Sequence, residues 1–442
     1  MKRIFALILC LLSVFSLFGC GAEEVPETTA DTSSLVPEVQ VKPDYSAFAN
    51  IVADPKGWYD GLMALPIAND SMTEEELRQL CVDAMRYNLT FTWTPTMDIS
   101  YSFTLLERTS EVYLPYKIAY SGLFYCNNNA RGNVWKALYY YDTETGTLDI
   151  AAMNGQLLSV MSSACARGCE WGWSRVSNSH GLENMASYNQ YNSNIVLVGT
   201  YNYQLGKHSF ASGSGTKDII ALNGDPVMLE SYSMMKMADG VYSSSSYHVM
   251  MISQNPVIVY DEQGNIDPNE SYVLVLEQDA IGSKTENQNI LQSNGVTLRQ
   301  LGGVDNKYTF QDLLDKGYIP FTLKELVGQD PVEDGKAWLG TPDVPIEHGT
   351  DLTLSEIFKN SIHTNYALCT MEIRVEDPQG QVLLSRPYDM QSTPMTFRSP
   401  TTHHEFEEAA AVYANGSNTV HIYVRLSTGE LVDAFSTVLK IA

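Results

Sequence analysis

The first clear pattern of apolar positions predicts a helix that begins near residue 73. Its apolar side chains recur at three- and four-residue spacing: Leu77, Leu80, Cys81, Ala84 and Met85. Thr73 and Glu76 have the spacing of a capping box, and acidic residues fill the first turn. We therefore expect an amphipathic helix that packs one face on a core.

A second amphipathic segment surrounds Cys165. Cys165, Cys169 and Trp173 fall on one helical face at four-residue spacing. Ser162 or Ser163 is a candidate N-cap, which would put Cys165 in the first turn, where the helix dipole favours a thiolate. The alternative is that Cys165 is a small buried hydrophobic residue on an apolar face.

Strand signals dominate the second half of the chain. Residues 215–232 are expected to form a strand and a turn, and residues 310–316 a short helix. Three runs before that helix are typical of strands: His248–Ile252, Val257–Tyr260 and Tyr272–Glu277. Four more follow a change of character near residue 346: Cys369–Glu376, Gln381–Leu384, Thr419–Leu426 and Leu431–Leu439. These elements predict an α+β chain with a main domain at 44–345 and a small β-sandwich module at 346–442.

Charge composition limits the partners of this chain. It has 27 Lys and Arg residues against 52 Asp and Glu residues, a formal net charge of −25. Nucleic acid and anionic membrane surfaces are therefore poor partners. An acidic wall polymer would also repel the protein, which argues against tight adsorption to a wall but not against catalysis on it.

The N-terminal segment predicts export. Lys2 and Arg3 precede an apolar run, Ile4–Phe18, that is short for a membrane span and typical of a secretory signal. The run ends in Leu-Phe-Gly-Cys, which looks like a bacterial lipobox, so Cys20 is the expected site of lipidation and membrane anchoring. The expected lipoprotein signal with its lipobox covers residues 1–20, and the alternative is an ordinary signal peptide in which Cys20 is incidental. Residues 21–43 lack a core-forming pattern and are expected to form a disordered tether.

The cysteine count indicates a free thiol. Beyond Cys10 in the signal and Cys20 in the lipobox, five cysteines remain: Cys81, Cys126, Cys165, Cys169 and Cys369. An odd number cannot pair completely within the chain. The Cys-x₃-Cys spacing supplies only two metal ligands, and no nearby His or Cys cluster completes a zinc site, so neither a metal nor a cofactor is expected.

His248, which opens an apolar strand, is the candidate partner of the Cys165 thiol. In a Cys/His hydrolase the imidazole hydrogen-bonds the thiol, and a third polar group holds the ring in place. Glu277 and Gln278 are the candidates for that group, and strand alternation lets at most one of them face His248. Asn255 is a weaker candidate. Two other histidines remain possible partners of the thiol: His180 and His208.

These motifs resemble the NlpC-like branch of the papain-fold cysteine peptidases. The nucleophile helix of that family, rich in Trp and Ala, is similar to Cys165–Trp173. Its Gly-Asp turn before a His-Val strand is similar to Ala238–Gly240 followed by His248–Met251. An upstream Pro-Tyr pair of the family matches Pro115–Tyr116.

The resemblance implies a papain-like catalytic domain with Cys165 as nucleophile, His248 as its base and one of the residues at 277–278 as the third member. Many members of the family cut amide bonds in peptidoglycan stem peptides. Three aromatic residues are expected to contact the substrate: Tyr116, Trp171 and Tyr247. The family usually has Asp and Ser on either side of the nucleophile, where this chain has Ala164 and Ala166, so the substrate class stays open.

Together these features predict a lipid-anchored, exported cysteine hydrolase that faces the cell wall. Its expected substrate is a peptidoglycan peptide or another amide. Two alternatives belong to other classes: a non-catalytic lipoprotein that binds a glycan or peptide, and an adhesion lipoprotein whose C-terminal module carries the function.

Overall fold

The computed structural model describes ten segments of the chain: residues 54–105, 108–116, 118–126, 132–177, 195–203, 215–279, 289–291, 297–388, 396–397 and 418–438. The helices are α1 Pro55–Met63, α2 Glu74–Leu89, α3 Val134–Ala137, α4 Leu157–Met161, α5 Cys165–Trp173, α6 Gly215–Asn223, α7 Asp225–Ser233, α8 Phe310–Lys316 and α9 Leu354–Lys359. Short 3₁₀ turns cover Leu138–Tyr140, Ala151–Met153 and Glu325–Val327.

The strands up to residue 300 are β1 Thr92–Pro95, β2 Ile99–Leu105, β3 Arg108–Leu114, β4 Ala119–Ser121, β5 Phe124–Tyr125, β6 Tyr141–Asp142, β7 Thr147–Leu148, β8 Ser162–Ser163, β9 Ile195–Leu197, β10 Gly240–Ser243, β11 His248–Ile252, β12 Tyr272–Glu277, β13 Asn289–Leu291 and β14 Thr297–Gln300. The later strands are β15 Gly303–Thr309, β16 Ile319–Leu323, β17 Ala337–Gly340, β18 Ser361–Thr364, β19 Leu368–Glu376, β20 Val382–Tyr388, β21 Thr396–Phe397, β22 Thr419–Leu426 and β23 Leu431–Val438. The chain is thus of the α+β class, as its sequence predicts.

An antiparallel six-stranded sheet in the order β15-β12-β11-β10-β16-β9 forms the centre of the main body. Its two faces are covered by different helices because successive strand residues point to opposite sides. On β11, Val249 and Met251 pack with α2 and α5, whereas Met250 and Ile252 pack with α6, α7 and α8. The cysteine helix therefore lies on one defined face of this sheet.

A second six-stranded sheet, in the order β13-β14-β4-β1-β7-β6, surrounds a separate aromatic core. Trp58 of α1 and Trp93 of β1 are both fully buried in that core. The hairpin of β2 and β3 and the parallel pair of β5 and β8 complete this part of the molecule. Through β8 the aromatic core reaches the start of α5.

The C-terminal part has two sheets around one hydrophobic core. A three-stranded sheet, β17-β18-β21, and a four-stranded sheet, β20-β19-β22-β23, both contribute to it. Strand β17 belongs to this part because it pairs with β18. It lies before residue 346, the boundary expected from the sequence. This part also contacts the end of α5: Arg175 Nη1 donates to the Thr428 carbonyl at 2.6 Å, and Ser427 Oγ donates to the Ser174 carbonyl at 3.2 Å.

Several predicted elements are confirmed. The capping box of α2 forms: the Glu76 N–H donates to Thr73 Oγ1 at 3.3 Å, and the Thr73 N–H donates to Glu76 Oε2 at 2.8 Å. Helix α8 has the bounds expected from the sequence, and strands β19, β22 and β23 match their predicted runs to within one residue. Strand β20 continues to Tyr388, beyond the predicted end at Leu384.

Two predicted local elements are wrong. Residues 215–232 form the helices α6 and α7 rather than a strand and a turn, and Gly224 separates the helices with φ +78°. The apolar side chains of both helices are buried against the sheet, so tertiary packing decides a segment whose own pattern is weak. Val257–Tyr260 forms only isolated bridges at its two end residues and is not a strand.

Several expectations lie outside the described residues. They concern the signal at 1–20 with its lipidation site Cys20, the tether at 21–43, and the histidines His180 and His208. Among the described residues, no helix is both long enough and apolar enough to cross a bilayer.

Candidate active site

Cys165 is the first residue of α5. Its N-cap is Ala164, which offers no capping side chain, and the predicted caps Ser162 and Ser163 instead form β8. Strand β8 pairs in parallel with β5 and so fixes where the helix starts. The side chain of Cys165 is partly exposed at the positive end of the helix dipole, where a thiolate is favoured.

His248 faces this thiol from the start of β11. Its imidazole is close enough to Cys165 for the two groups to shift each other's pKa, and the carbonyl of the preceding residue, Tyr247, accepts a hydrogen bond from the thiol, with Sγ and O 3.6 Å apart. Tyr247 has φ +48°, a conformation that non-glycine residues rarely adopt. The strained turn thus brings both a carbonyl and an imidazole to one sulfur atom.

Glu277 holds the far side of the imidazole. Its Oε2 lies 2.7 Å from His248 Nε2, which leaves Nδ1 of the ring for the thiol. The carboxylate is buried and also accepts from Asn306 Nδ2 at 2.6 Å and from the Tyr308 hydroxyl, which lies 3.2 Å from each oxygen. The thiol, the imidazole and the carboxylate therefore form one path of neighbouring groups, Cys165–His248–Glu277.

The electrostatics of this path favour charge separation. Burial opposes ionisation of Cys165, but the hydrogen bond and charge of His248 outweigh it and lower the pKa of the thiol. Burial likewise opposes protonation of His248, but the bonds to Cys165 and Glu277 raise the pKa of the imidazole well above its usual value. Burial of Glu277 is outweighed by His248, Asn306 and Tyr308, so the pKa of its carboxyl is lowered. All three shifts favour a thiolate, an imidazolium and a carboxylate.

The other candidates for the third position lie elsewhere. Gln278 is fully buried on the opposite side of β12, against Gly168 of α5, and its Nε2 donates to the Leu123 carbonyl at 2.9 Å. Asn255 accepts from the Met237 N–H at 3.0 Å and holds the turn before β10. The structure therefore brings only Glu277, of the three sequence candidates, to His248.

The turn Ala238–Gly240, which leads into β10, holds neighbouring elements together. Asp239 is buried, and its Oδ1 lies 2.6 Å from Arg78 Nη1 of α2. The indole nitrogen of Trp173, at the end of α5, donates to the Ala238 carbonyl at 2.8 Å. The turn thus ties both helices to the strand pair that carries His248.

The three aromatic residues expected at the substrate differ in position. Tyr247 is 46% exposed beside the thiol. Trp171 is buried and donates to the Ala84 carbonyl at 3.1 Å, so it belongs to the core. Tyr116 is exposed and its N–H donates to Asp98 at 2.8 Å.

Four residues that lie near the Cys165–His248–Glu277 path are not predicted as site residues from the sequence. Tyr125 and Tyr242 are close enough to Cys165 that its negative charge contributes to raising the pKa of each phenol, after burial. Asn306 and Tyr308 contact Glu277. Asn306 and Tyr308 are two residues apart on β15 and so point to the same face of the sheet, a spacing that could have indicated that they act together.

One group of potential metal ligands occurs among the described residues. Ligand atoms of His248, Glu277 and Asp279 lie within 4.8 Å of one another. Both oxygens of Glu277 already accept hydrogen bonds, and His248 Nε2 is bound to that carboxylate, so an ion would have to break the path. We therefore assign these groups to the Cys–His–Glu path rather than to a metal.

Comparison with protein-family models, with curated proteins and with solved structures finds no match to this chain.

Proposed function

We propose that this protein is a cysteine hydrolase in which Cys165 is the nucleophile, His248 the general base and acid, and Glu277 the orienting carboxylate. The observation that carries the proposal is the arrangement of Cys165 at the start of α5, His248 beside it on β11, and a buried carboxylate 2.7 Å from His248 Nε2. Such an arrangement is how an imidazole activates a thiol and keeps one orientation.

The reaction follows from these positions. His248 takes the thiol proton, and the thiolate attacks an acyl carbon to form a tetrahedral intermediate. The imidazolium then donates that proton to the leaving amine, which departs as the acyl-enzyme forms. Water, deprotonated by His248, attacks the acyl carbon and releases the acid and the thiol. Backbone N–H groups in the first turn of α5 are suited to receive the oxyanion.

The proposed substrate is an amide bond in a peptidoglycan peptide. The lipobox-like sequence at Cys20 supports export and a membrane anchor, and the resemblance to the NlpC-like peptidases supports a papain-like domain. The strand runs after residue 346 support a β-sandwich module. Tyr247, exposed next to the thiol, is available to contact such a substrate.

The first test is the pH dependence of iodoacetamide labelling at Cys165, read by peptide mass spectrometry. An ordinary thiol titrates near pH ~8.5, so labelling at pH ~6 that falls at least about tenfold in His248→Ala is expected. His363→Ala is the matched control, since His363 is a buried histidine of the C-terminal part that contacts the Gly340 carbonyl.

The second test is turnover of purified wall peptides by the wild type and by Cys165→Ala. Release of a new amine that Cys165→Ala abolishes is expected. A thiol whose labelling is indifferent to His248 would overturn the hydrolase and favour the non-catalytic binding lipoprotein.

A further inference from the structure

Strand β15 contains an irregularity next to Glu277. Val275 pairs with Asn306, but Glu277 pairs with Gly303, so β15 has one extra residue between these pairs. Asp305, within this bulge, has φ +54°. Bulges bend a strand and re-aim its side chains, and they occur often beside active sites.

An ion pair holds the bulge in place. Arg86 of α2 binds Asp305 with both terminal nitrogens, at 2.5 Å between Nη1 and Oδ2 and 2.9 Å between Nη2 and Oδ1. Such a two-point contact fixes geometry as well as charge. The extra residue is therefore tied to the helix layer of the main body.

The bulge places a glycine where Glu277 needs space. A Cβ atom at Gly303 would lie 2.6 Å from Glu277 Cγ and 2.4 Å from Asn306 Nδ2, closer than real Cβ contacts. Without the extra residue, Val304 would be opposite Glu277. The register shift thus makes room for the carboxylate and for the amide that binds it.

Asn306 and Tyr308 complete the surroundings of the carboxylate. Oε1 accepts from Asn306 at 2.6 Å, and the Tyr308 hydroxyl lies 3.2 Å from both oxygens. A buried carboxylate stays ionised only if donors or positive charge compensate its lost hydration. Asn306 contacts only Oε1, and Oε2 lies 2.7 Å from His248 Nε2.

The other ionisable groups around Glu277 do not replace these donors. They are the Cys169 thiol of α5, Asp279 after β12 and the Tyr318 phenol before β16. All three are neutral or negative. The nearby cation Arg86 is already bound to Asp305.

We infer that Asn306 and Tyr308, presented by the Asp305 bulge, are positioning residues that hold the Glu277 carboxylate with Oε2 directed at His248 Nε2. The positions of these side chains do not depend on the proposed function. Only their role in catalysis rests on it. Neither residue touches the thiol or the reacting carbon.

The experiment compares Asn306→Leu and Tyr308→Phe in the full chain. Histidine-labelled protein is titrated by NMR, and His248 is assigned from the spectrum of His248→Gln. In each variant the midpoint of the His248 titration is expected to move to lower pH by about one pH unit, because the imidazolium loses a well-placed counter-charge. Turnover of wall peptides is expected to show a kcat about tenfold lower with KM within about twofold.

Lys307→Ala is the matched control. Lys307 lies between the two residues on β15 but is exposed, with Nζ 4.3 Å from the Tyr272 ring centre. Its loss should leave the His248 midpoint and kcat unchanged. Tyr308→Phe removes a single oxygen atom, so it decides the question if Asn306→Leu does not fold.

The outcomes separate the two proposals. Folded variants whose His248 midpoint equals that of the wild type would overturn the positioning role, whatever the turnover. A midpoint that responds to both variants, in a protein that turns over no wall peptide, would support the positioning role and count against the proposed hydrolysis.

Discussion

Cys165 and Cys169 lie one turn apart on α5, yet their surroundings shift the pKa values of the two thiols in opposite directions. Cys165 is partly exposed, and the bond to His248 lowers the pKa of its thiol despite burial. Cys169 is fully buried, and burial, followed by the nearby charges of Cys165 and Glu277, raises the pKa of its thiol well above the usual value. The residue type is the same, so the difference comes from position alone.

One residue of β11 helps to distinguish the two thiols. The Val249 backbone helps to lower the pKa of the Cys165 thiol, whereas the Val249 carbonyl accepts from Cys169 Sγ at 3.7 Å and favours the protonated thiol. The backbone of one residue therefore faces adjacent turns of the helix. The contrast teaches that the sheet, and not only the helix dipole, sets the difference in pKa between the two thiols.

The largest expected effect is the difference in alkylation between these thiols. In the native protein at pH ~7, Cys165 should react with iodoacetamide at least about 100-fold faster than Cys169, which needs an opening of the structure to react. In ~6 M guanidinium the two rates should become equal within about twofold. Quantitative peptide mass spectrometry measures both; a difference that persists in denaturant would mean that local sequence, not the fold, sets reactivity.

The next effect is the loss of the Glu277 charge. Glu277→Gln should lower kcat/KM for a wall peptide by roughly 100-fold, since a neutral amide no longer stabilises the imidazolium. The pKa of His248 should fall, so the upper pH limit of the range in which the thiolate–imidazolium pair exists should move to lower pH. A pH–rate profile measures this range, and an unchanged profile would contradict the role of Glu277. The matched control is Glu262→Gln, which makes the same change on an exposed turn and should leave the profile unchanged.

A smaller effect is expected from crowding the carboxylate. Gly303→Ala should reduce the free energy of unfolding by about 1–3 kcal/mol, because its Cβ would overlap the Glu277 and Asn306 side chains. Labelling of Cys165 at pH ~6 should fall in the same variant. Denaturant unfolding measures the stability change, and Gly215→Ala at the start of α6, where the nearest atom is 3.7 Å away, should show little loss.

The smallest effect is expected from removing the unreactive thiol. Cys169→Ala should cost about 1 kcal/mol of unfolding free energy, as for the loss of a small buried group. Cys165 labelling and peptide turnover should stay within about twofold of wild type. A large loss of turnover measured in this variant would show that Cys169 takes part in the chemistry.

Some residues of the candidate site can be predicted from the sequence and others cannot. Cys165 and His248 stand out because each follows a recognisable local pattern, a helix face and a strand start. Glu277 and Gln278 are indistinguishable in the sequence, and the pairing of β12 with β11 and β15 decides between them. The bulge at Asp305 leaves no local pattern, since it depends on an arginine more than 200 residues earlier in the chain.

Aromatic residues show the same limit. Trp171 was expected at the substrate, but its indole is buried and hydrogen-bonded to the Ala84 carbonyl. Composition cannot separate aromatic residues that fill a core from those that line a surface, because both satisfy the same helical spacing.

By itself the sequence determined the α+β class, the capping box at Thr73, the short helix after Thr309 and the placing of Cys165 and His248 on a helix and a strand. These features depend on residues within a few positions of one another, where spacing and capping chemistry act directly. Only the tertiary structure decided that Glu277 binds His248, that Asn306 and Tyr308 bind Glu277, and that Cys165 rather than Cys169 carries the lowered pKa. Those outcomes depend on strand register and burial, which join residues far apart in the chain.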